Sequence, residues 1–134
     1  MDDAVATIIL STFSGSALST ALAGKLARSA APQGWTAPYG IFHGLTGESQ
    51  GPMRGNKGVD LCSMRFNFFS SNGPDADKAL ALCRALFDGV KLTLSDSTTI
   101  LPQRKTSFFA LRDEENPDSG LYRSAIDFQY FRQY

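Results

Sequence analysis

Residues 59–69 of this 134-residue chain alternate in character, with Cys62, Met64, Phe66 and Phe68 on one side and Ser63, Arg65 and Asn67 on the other. A period of two is the signature of a half-buried strand, so one side meets a core and the other meets water or another subunit. The next segment supplies the cover. Asn72 or Gly73 can cap a helix, Pro74 suits its first position, and Asp75 and Asp77 favour the positive end of its dipole. The pattern predicts a helix over residues 74–88, in which Ala76, Ala79, Leu80, Cys83, Leu86 and Phe87 form one apolar stripe and Asp77, Arg84 and Asp88 fall elsewhere. Gly89 closes it as a left-handed cap. Laying that stripe on the apolar side of the strand buries both surfaces at once.

The remaining segments are arranged around this pair. Val5, Ile8, Ile9 and Phe13 have helical spacing, which predicts a short helix over residues 3–13. Ser14-Gly15-Ser16 interrupts it, and residues 17–23 form a second helical piece ending at Gly24, after which 26–29 become extended. Residues 31–38 carry two prolines and a glycine and read as a loop. Residues 39–45 read as a strand that Gly40 and Gly44 weaken. Residues 47–58 hold four glycines and a proline, a mobile hairpin loop that is costly to order unless a partner uses it. Residues 91–94 form a short strand. Residues 98–111 are extended, with Pro102 demanding an edge or a bulge, and the adjacent Phe108 and Phe109 leave their inward face unassigned. An acidic turn spans 112–120, and the final strand, 121–132, puts Tyr122, Ser124, Ile126, Phe128 and Tyr130 inward with Arg123, Asp127 and Gln129 outward. The expected fold is therefore α+β: an antiparallel sheet of about four strands with one main helix packed on one face and a short N-terminal helix, in a single domain over residues 1–134.

The inventory offers little chemistry. Thirteen basic residues balance thirteen acidic ones, so no global field recruits nucleic acid or an acidic membrane. Cys62 and Cys83 fall on inward faces that pack together; buried thiols are the simpler reading, and their spacing does not settle whether the sulfurs reach each other. They form no metal motif. The apolar run near the N-terminus is too short to span a bilayer and follows Asp2 and Asp3, where an export signal carries positive charge, so a soluble protein made in the cytoplasm is expected. His43, the single histidine, sits in a predicted strand. No second histidine completes a triad with either cysteine, and no serine sits in a nucleophile elbow. Glu48, Glu114 and Glu115 lie in loops, and residues 47–58 lack the ending of a phosphate loop. Neither catalysis nor a cofactor or metal is expected.

Two signals remain. Arg54 with Lys57, and Arg104 with Lys105, are small basic pairs able to touch phosphates without reading sequence, although a solvated loop tip explains each as well. Leu61, Phe69, Phe131 and Tyr134 fall on the side of their strands that the helix leaves uncovered, and Trp35 sits in a loop. Several aromatics on one sheet face point to contact with another protein, and a small sheet with a sticky second face often becomes a subunit of a ring or dimer.

Ala31-Pro32-Gln33-Gly34 followed by Pro38-Tyr39, the long glycine-rich hairpin, the 59–69 strand, one helix of about four turns, and the closing Gly120-Leu121-Tyr122-Arg123 with Asp127-Phe128 resemble the tail completion proteins of long-tailed bacteriophages, also called tail terminator or tail-to-head joining proteins. The resemblance runs through nearly the whole chain in order; Trp35, Cys62 and Cys83 match no family role. It implies a structural virion protein at the head–tail junction, assembled in the host cytoplasm: a homo-hexameric ring that ends tail-tube growth and offers a surface to the head-side connector, without catalysis. It implies as partners the tail tube protein, the connector and, without sequence preference, DNA passing through the ring. On that reading Gly51, Met53, Arg54 and Lys57 in one loop and Asp113, Glu114 and Glu115 in the other are the expected contacts. Within virion proteins, a head-side connector or a tail-tube subunit are alternatives. From a different class, a ligand-binding α+β module would show a cavity lined by Met64, Phe66 and Ile126 with His43 or Tyr122 as its polar group.

Overall fold

The computed structural model describes residues 1–45, 59–112 and 120–133. Three helices, α1 (Asp3–Phe13), α2 (Ala17–Ala21) and α3 (Gly73–Phe87), accompany seven strands: β1 (Leu26–Arg28), β2 (Tyr39–Gly44), β3 (Val59–Ser70), β4 (Leu92–Thr93), β5 (Thr99–Ile100), β6 (Gln103–Arg112) and β7 (Tyr122–Gln133). Local chemistry sets the helix ends. Asp2 caps α1 by accepting from the Val5 amide at 2.9 Å, and Asn72 caps α3 by accepting from the Asp75 amide at 2.9 Å. Gly89, at φ +71°, takes the left-handed turn after α3.

The main sheet has five strands in the order β1-β2-β3-β7-β6. Its centre is the long antiparallel pair of β3 and β7, in register from Val59↔Gln133 to Ser70↔Tyr122. The faces divide by alternation as the sequence implies. Phe42, Met64, Phe66, Phe68, Ile126 and Phe128 are fully buried beneath α3 and α1, whose Val5, Ile9, Ala79, Cys83 and Phe87 join the same core. Phe66 is the hub, with ring centroids of Phe42, Phe68, Phe87 and Phe128 at 5.2 to 6.3 Å. Both cysteines face this side and are free thiols.

Three expectations change. The sheet is mixed and five-stranded rather than antiparallel and of about four strands, because β1 runs parallel to β2 in the register Leu26↔Gly40 and Arg28↔Phe42, which lets Leu26 enter the core. The short α2 falls within the second helical piece expected over 17–23, and Leu18 and Leu22 there join that core. Residues 91–94 do not join the main sheet: β4 pairs with β5 in a separate two-stranded hairpin, Leu92↔Ile100. That hairpin splits the extended segment at Leu101-Pro102, since Pro102 has no amide to donate; its carbonyl accepts from Gly89 N–H at 2.8 Å instead. Beyond Pro102, β6 forms an edge strand with register shifts between Arg104 and Thr106 and between Phe108 and Leu111. The adjacent phenylalanines that spoil the alternation fall in the second bulge.

Gly40 and Gly44 prove to be requirements rather than weaknesses. A Cβ at Gly40 would stand 3.0 Å from both Leu26 Cδ1 and Phe68 Cδ1, and one at Gly44 would stand 2.8 Å from the Met1 nitrogen. The missing side chains let β1, the Phe68 ring and the N-terminus close onto β2.

Candidate subunit interface

The open face of the sheet carries a polar row across four strands. His43 on β2 stands opposite Arg65 on β3, which stands opposite Asp127 on β7, which pairs with Thr106 on β6. Arg65 grips Asp127 with both arms of its fork, Nε to Oδ1 at 2.7 Å and Nη2 to Oδ2 at 2.9 Å, and Thr106 Oγ1 donates to Oδ2 at 3.2 Å. The Phe108 ring lies over the guanidinium, 5.5 Å from centroid to Cζ. The Asp127 hydrogen bonds raise the Arg65 pKa, against the opposing pull of burial. The row is thus neutralised within the chain, so a partner can cover it without leaving a bare charge.

Apolar side chains lie on either side of that row. At one end Tyr39 stacks on Phe69 at 5.0 Å, and Trp35 packs against Tyr39 at 6.4 Å, so the loop tryptophan is partly engaged within its own chain. Towards the other end Phe131, 57% exposed, stands beside Leu61. Along the edge, Phe109 is 73% and Leu111 68% exposed. Beside Phe131 an open groove of about 450 Å³ runs between β5, the start of β6 and β7, with Leu61, Ile100, Leu101, Tyr130 and Phe131 among its walls and Lys91 and Gln103 at hand. The exposed apolar side chains thus stand at the two ends of the face, with the polar row between them.

The titratable groups singled out from the sequence stand apart, His43 on the open face and the cysteines on the covered one. Burial, and secondarily Arg65, lowers the His43 pKa while Asp127 pulls it the other way; this histidine shares its face with the Arg65–Asp127 salt bridge. Burial pushes the Cys83 thiol far up and raises that of Cys62, which keeps both protonated and unreactive near neutrality. Among the described residues no three side chains of metal-ligand type cluster, and no helix is long and apolar enough to cross a membrane. His43 lies on the opposite side of the sheet from Met64, Phe66 and Ile126, and rings fill the space around Phe66. Of the two polar groups named for the ligand-pocket alternative, His43 is therefore on the wrong side of the sheet, while Tyr122 shares the side of Ile126.

The contact residues expected from the sequence, Gly51, Met53, Arg54, Lys57, Asp113, Glu114 and Glu115, lie outside the described residues, as does Tyr134. Of the apolar residues expected on the uncovered side, Leu61 and Phe69 are half-buried and Phe131 is exposed, all on the open face. Sequence reasoning missed the exposure of Phe109 and Leu111 and the groove. The adjacent Phe108 and Phe109 were the available signal, since two large apolar residues in succession cannot both face one core in a regular strand.

No protein-family model matches the chain, and no curated protein matches it. Solved structures do. A chain from the virion of a native gene transfer agent (GTA) particle shares the fold at a TM-score of 0.70 and 16% identity, over 99% of this chain and 100% of that one. A second solved chain matches at a TM-score of 0.61 and 12% identity over 96% of each. At such identities the likeness is one of fold, and it extends over essentially the full length of both partners.

Proposed function

We propose that this chain is a structural subunit of a phage-like virion: a tail terminator that forms a ring, ends the tail tube and joins it to the head-side connector. The observation that carries the reading is the end-to-end likeness of fold to a chain of the gene transfer agent virion. Two features support it. The motif order of the chain resembles that of tail completion proteins, and the open sheet face pairs a self-neutralised polar row with exposed aromatics. On this reading the copies form a hexamer, and the loops holding Gly51, Met53, Arg54, Lys57, Asp113, Glu114 and Glu115 reach the tube protein, the connector or the DNA passage.

The test is to measure mass in solution across a range of concentrations, to image any ring, and to map the chain in purified particles by electron microscopy. A ring at the head–tail junction is the expected result. A position along the tube, or within the head-side connector, replaces terminator with one of those neighbouring roles; a persistent monomer absent from particles ends the virion reading. Deleting residues 51–56 is expected to leave the monomer folded while blocking head attachment, and infectious particles at normal yield would overturn that part.

A further inference from the structure

The two most prominent apolar features of the described surface sit at opposite ends of the same edge strand. At one end the bulge between Phe108 and Leu111 breaks the alternation of β6 and leaves Phe109 and Leu111 projecting. At the other end, where β6 begins at Gln103, lies the groove of about 450 Å³. An apolar cavity of roughly 150 Å³ takes a benzene-sized group, so this one has room for a phenylalanine and a leucine side chain together. From Gln103 to Leu111 a strand advances roughly 26 Å, at about 3.3 Å per residue, so the projection and the groove of one molecule cannot meet each other.

Charge and backbone narrow the choice of occupant. Lys91 stands at the groove, whereas the Asp77 carboxylate stands at the base of the projection, accepting from the Ala110 amide at 2.6 Å. Lys91 of one copy can therefore meet Asp77 of the next, while exposed Arg123, opposite Leu111 in register, adds a positive charge at the projection. Asp77 and Asp88, one within α3 and one at its C-terminal cap, also occupy amides of β6, Asp88 accepting from Arg104 N–H at 2.9 Å. With its edge guarded at two points, β6 is poorly suited to adding another strand, and contact must run through side chains.

We propose that copies of this chain join head to tail, with Phe109 and Leu111 of one copy seated in the groove formed by Leu61, Ile100, Leu101 and Phe131 of the next. This rests on the proposed ring and names the surfaces that make it. A projection at one end of a subunit and its socket at the other form a heterologous contact, which closes into a ring when the rotation per copy divides a full turn. The self-neutralised Arg65–Asp127 pair lies between the two surfaces and can be covered without a stranded charge.

Sedimentation of wild type, Phe109→Asp and Leu101→Asp tests the proposal, with circular dichroism and thermal melting to verify the fold. Both positions are solvent-exposed in the monomer, so the variants should melt as the wild-type monomer does while losing the ring. Cysteines at the two surfaces give a second measurement: a Leu111→Cys chain mixed with a Leu101→Cys chain should form a disulfide-linked pair on oxidation, in solution or in assembled particles. Neither variant alone, nor wild type, whose Cys83 is buried and Cys62 lies away from both surfaces, should do so. Rings that survive both aspartate substitutions, or a mixture that fails to cross-link in them, overturn this contact and leave the ring reading standing. A closed dimer that grows no further overturns the head-to-tail arrangement. A wild-type chain that is monomeric and missing from particles overturns the ring reading and this contact with it.

Discussion

The covered and open faces of the central sheet are made by the same strands, residue by alternate residue, yet they differ in kind. Beneath the helices, Phe66 is surrounded by four other rings, with every side chain of that centre fully buried. On the open face the centre is the Arg65–Asp127 fork, while exposed rings and leucines lie towards the rim. Apolar surface near the middle of a sheet stabilises the chain that owns it, whereas apolar surface at the rim stays available to a neighbour. The difference separates folding from assembly: substitutions on the covered face should change monomer stability, and those at the open rim should change association alone.

The largest expected effect lies on the covered face. Phe66→Ala removes the hub of the ring cluster and should cost about 3–5 kcal/mol by denaturant unfolding; a loss under about 1 kcal/mol would mean that the core does not depend on it. Next comes the centre of the open face. Asp127→Ala leaves Arg65 without its partner, and since that side chain is 32% exposed, water compensates in part. The expected loss is about 2 kcal/mol, in the range for hydrogen bonds to charged groups. No measurable loss would place the open face wholly in the service of assembly and sharpen the contrast further.

The smallest effect concerns the polar end of the covered side, where Arg132 of β7 donates from Nε to Asp2 at 2.7 Å and from Nη2 to Asp96 at 2.9 Å. Hydrogen bonds from Thr98 and Arg132 lower the Asp96 pKa from 3.8 to about 2. Partial burial raises that of Asp2, but the Val5 amide and Arg132 outweigh it and the net shift is downward. A carboxylate depressed in the folded state contributes its full stabilisation above its unfolded pKa and loses it as pH falls through the folded one. The clasp should therefore weaken between pH 3.8 and about 2. Asp96→Asn should shrink the drop in melting temperature across that window, and an unchanged drop would remove Asp96 from the acid response.

Much of the covered face was legible from the sequence. Helix α1 spans the residues its spacing predicts, α3 begins only one residue earlier than expected, and the inward sides of β3 and β7 follow their alternation. The open face was legible in part. Arg65 and Asp127 each read as outward, but their pairing depends on β3 lying beside β7, sixty-two residues away in sequence. The projection at Phe109 depends on a bulge that no period reveals.

Periodicity, caps and glycines act within a few residues, so the sequence alone determined where the helices lie and which side of the long strands is apolar. Only the tertiary structure decided that β1 would join parallel to β2, that the 91–94 segment would leave the sheet for a hairpin, and that a groove and a projection would stand at the two ends of β6. Those outcomes depend on which distant surfaces bury each other, and no local signal encodes that competition.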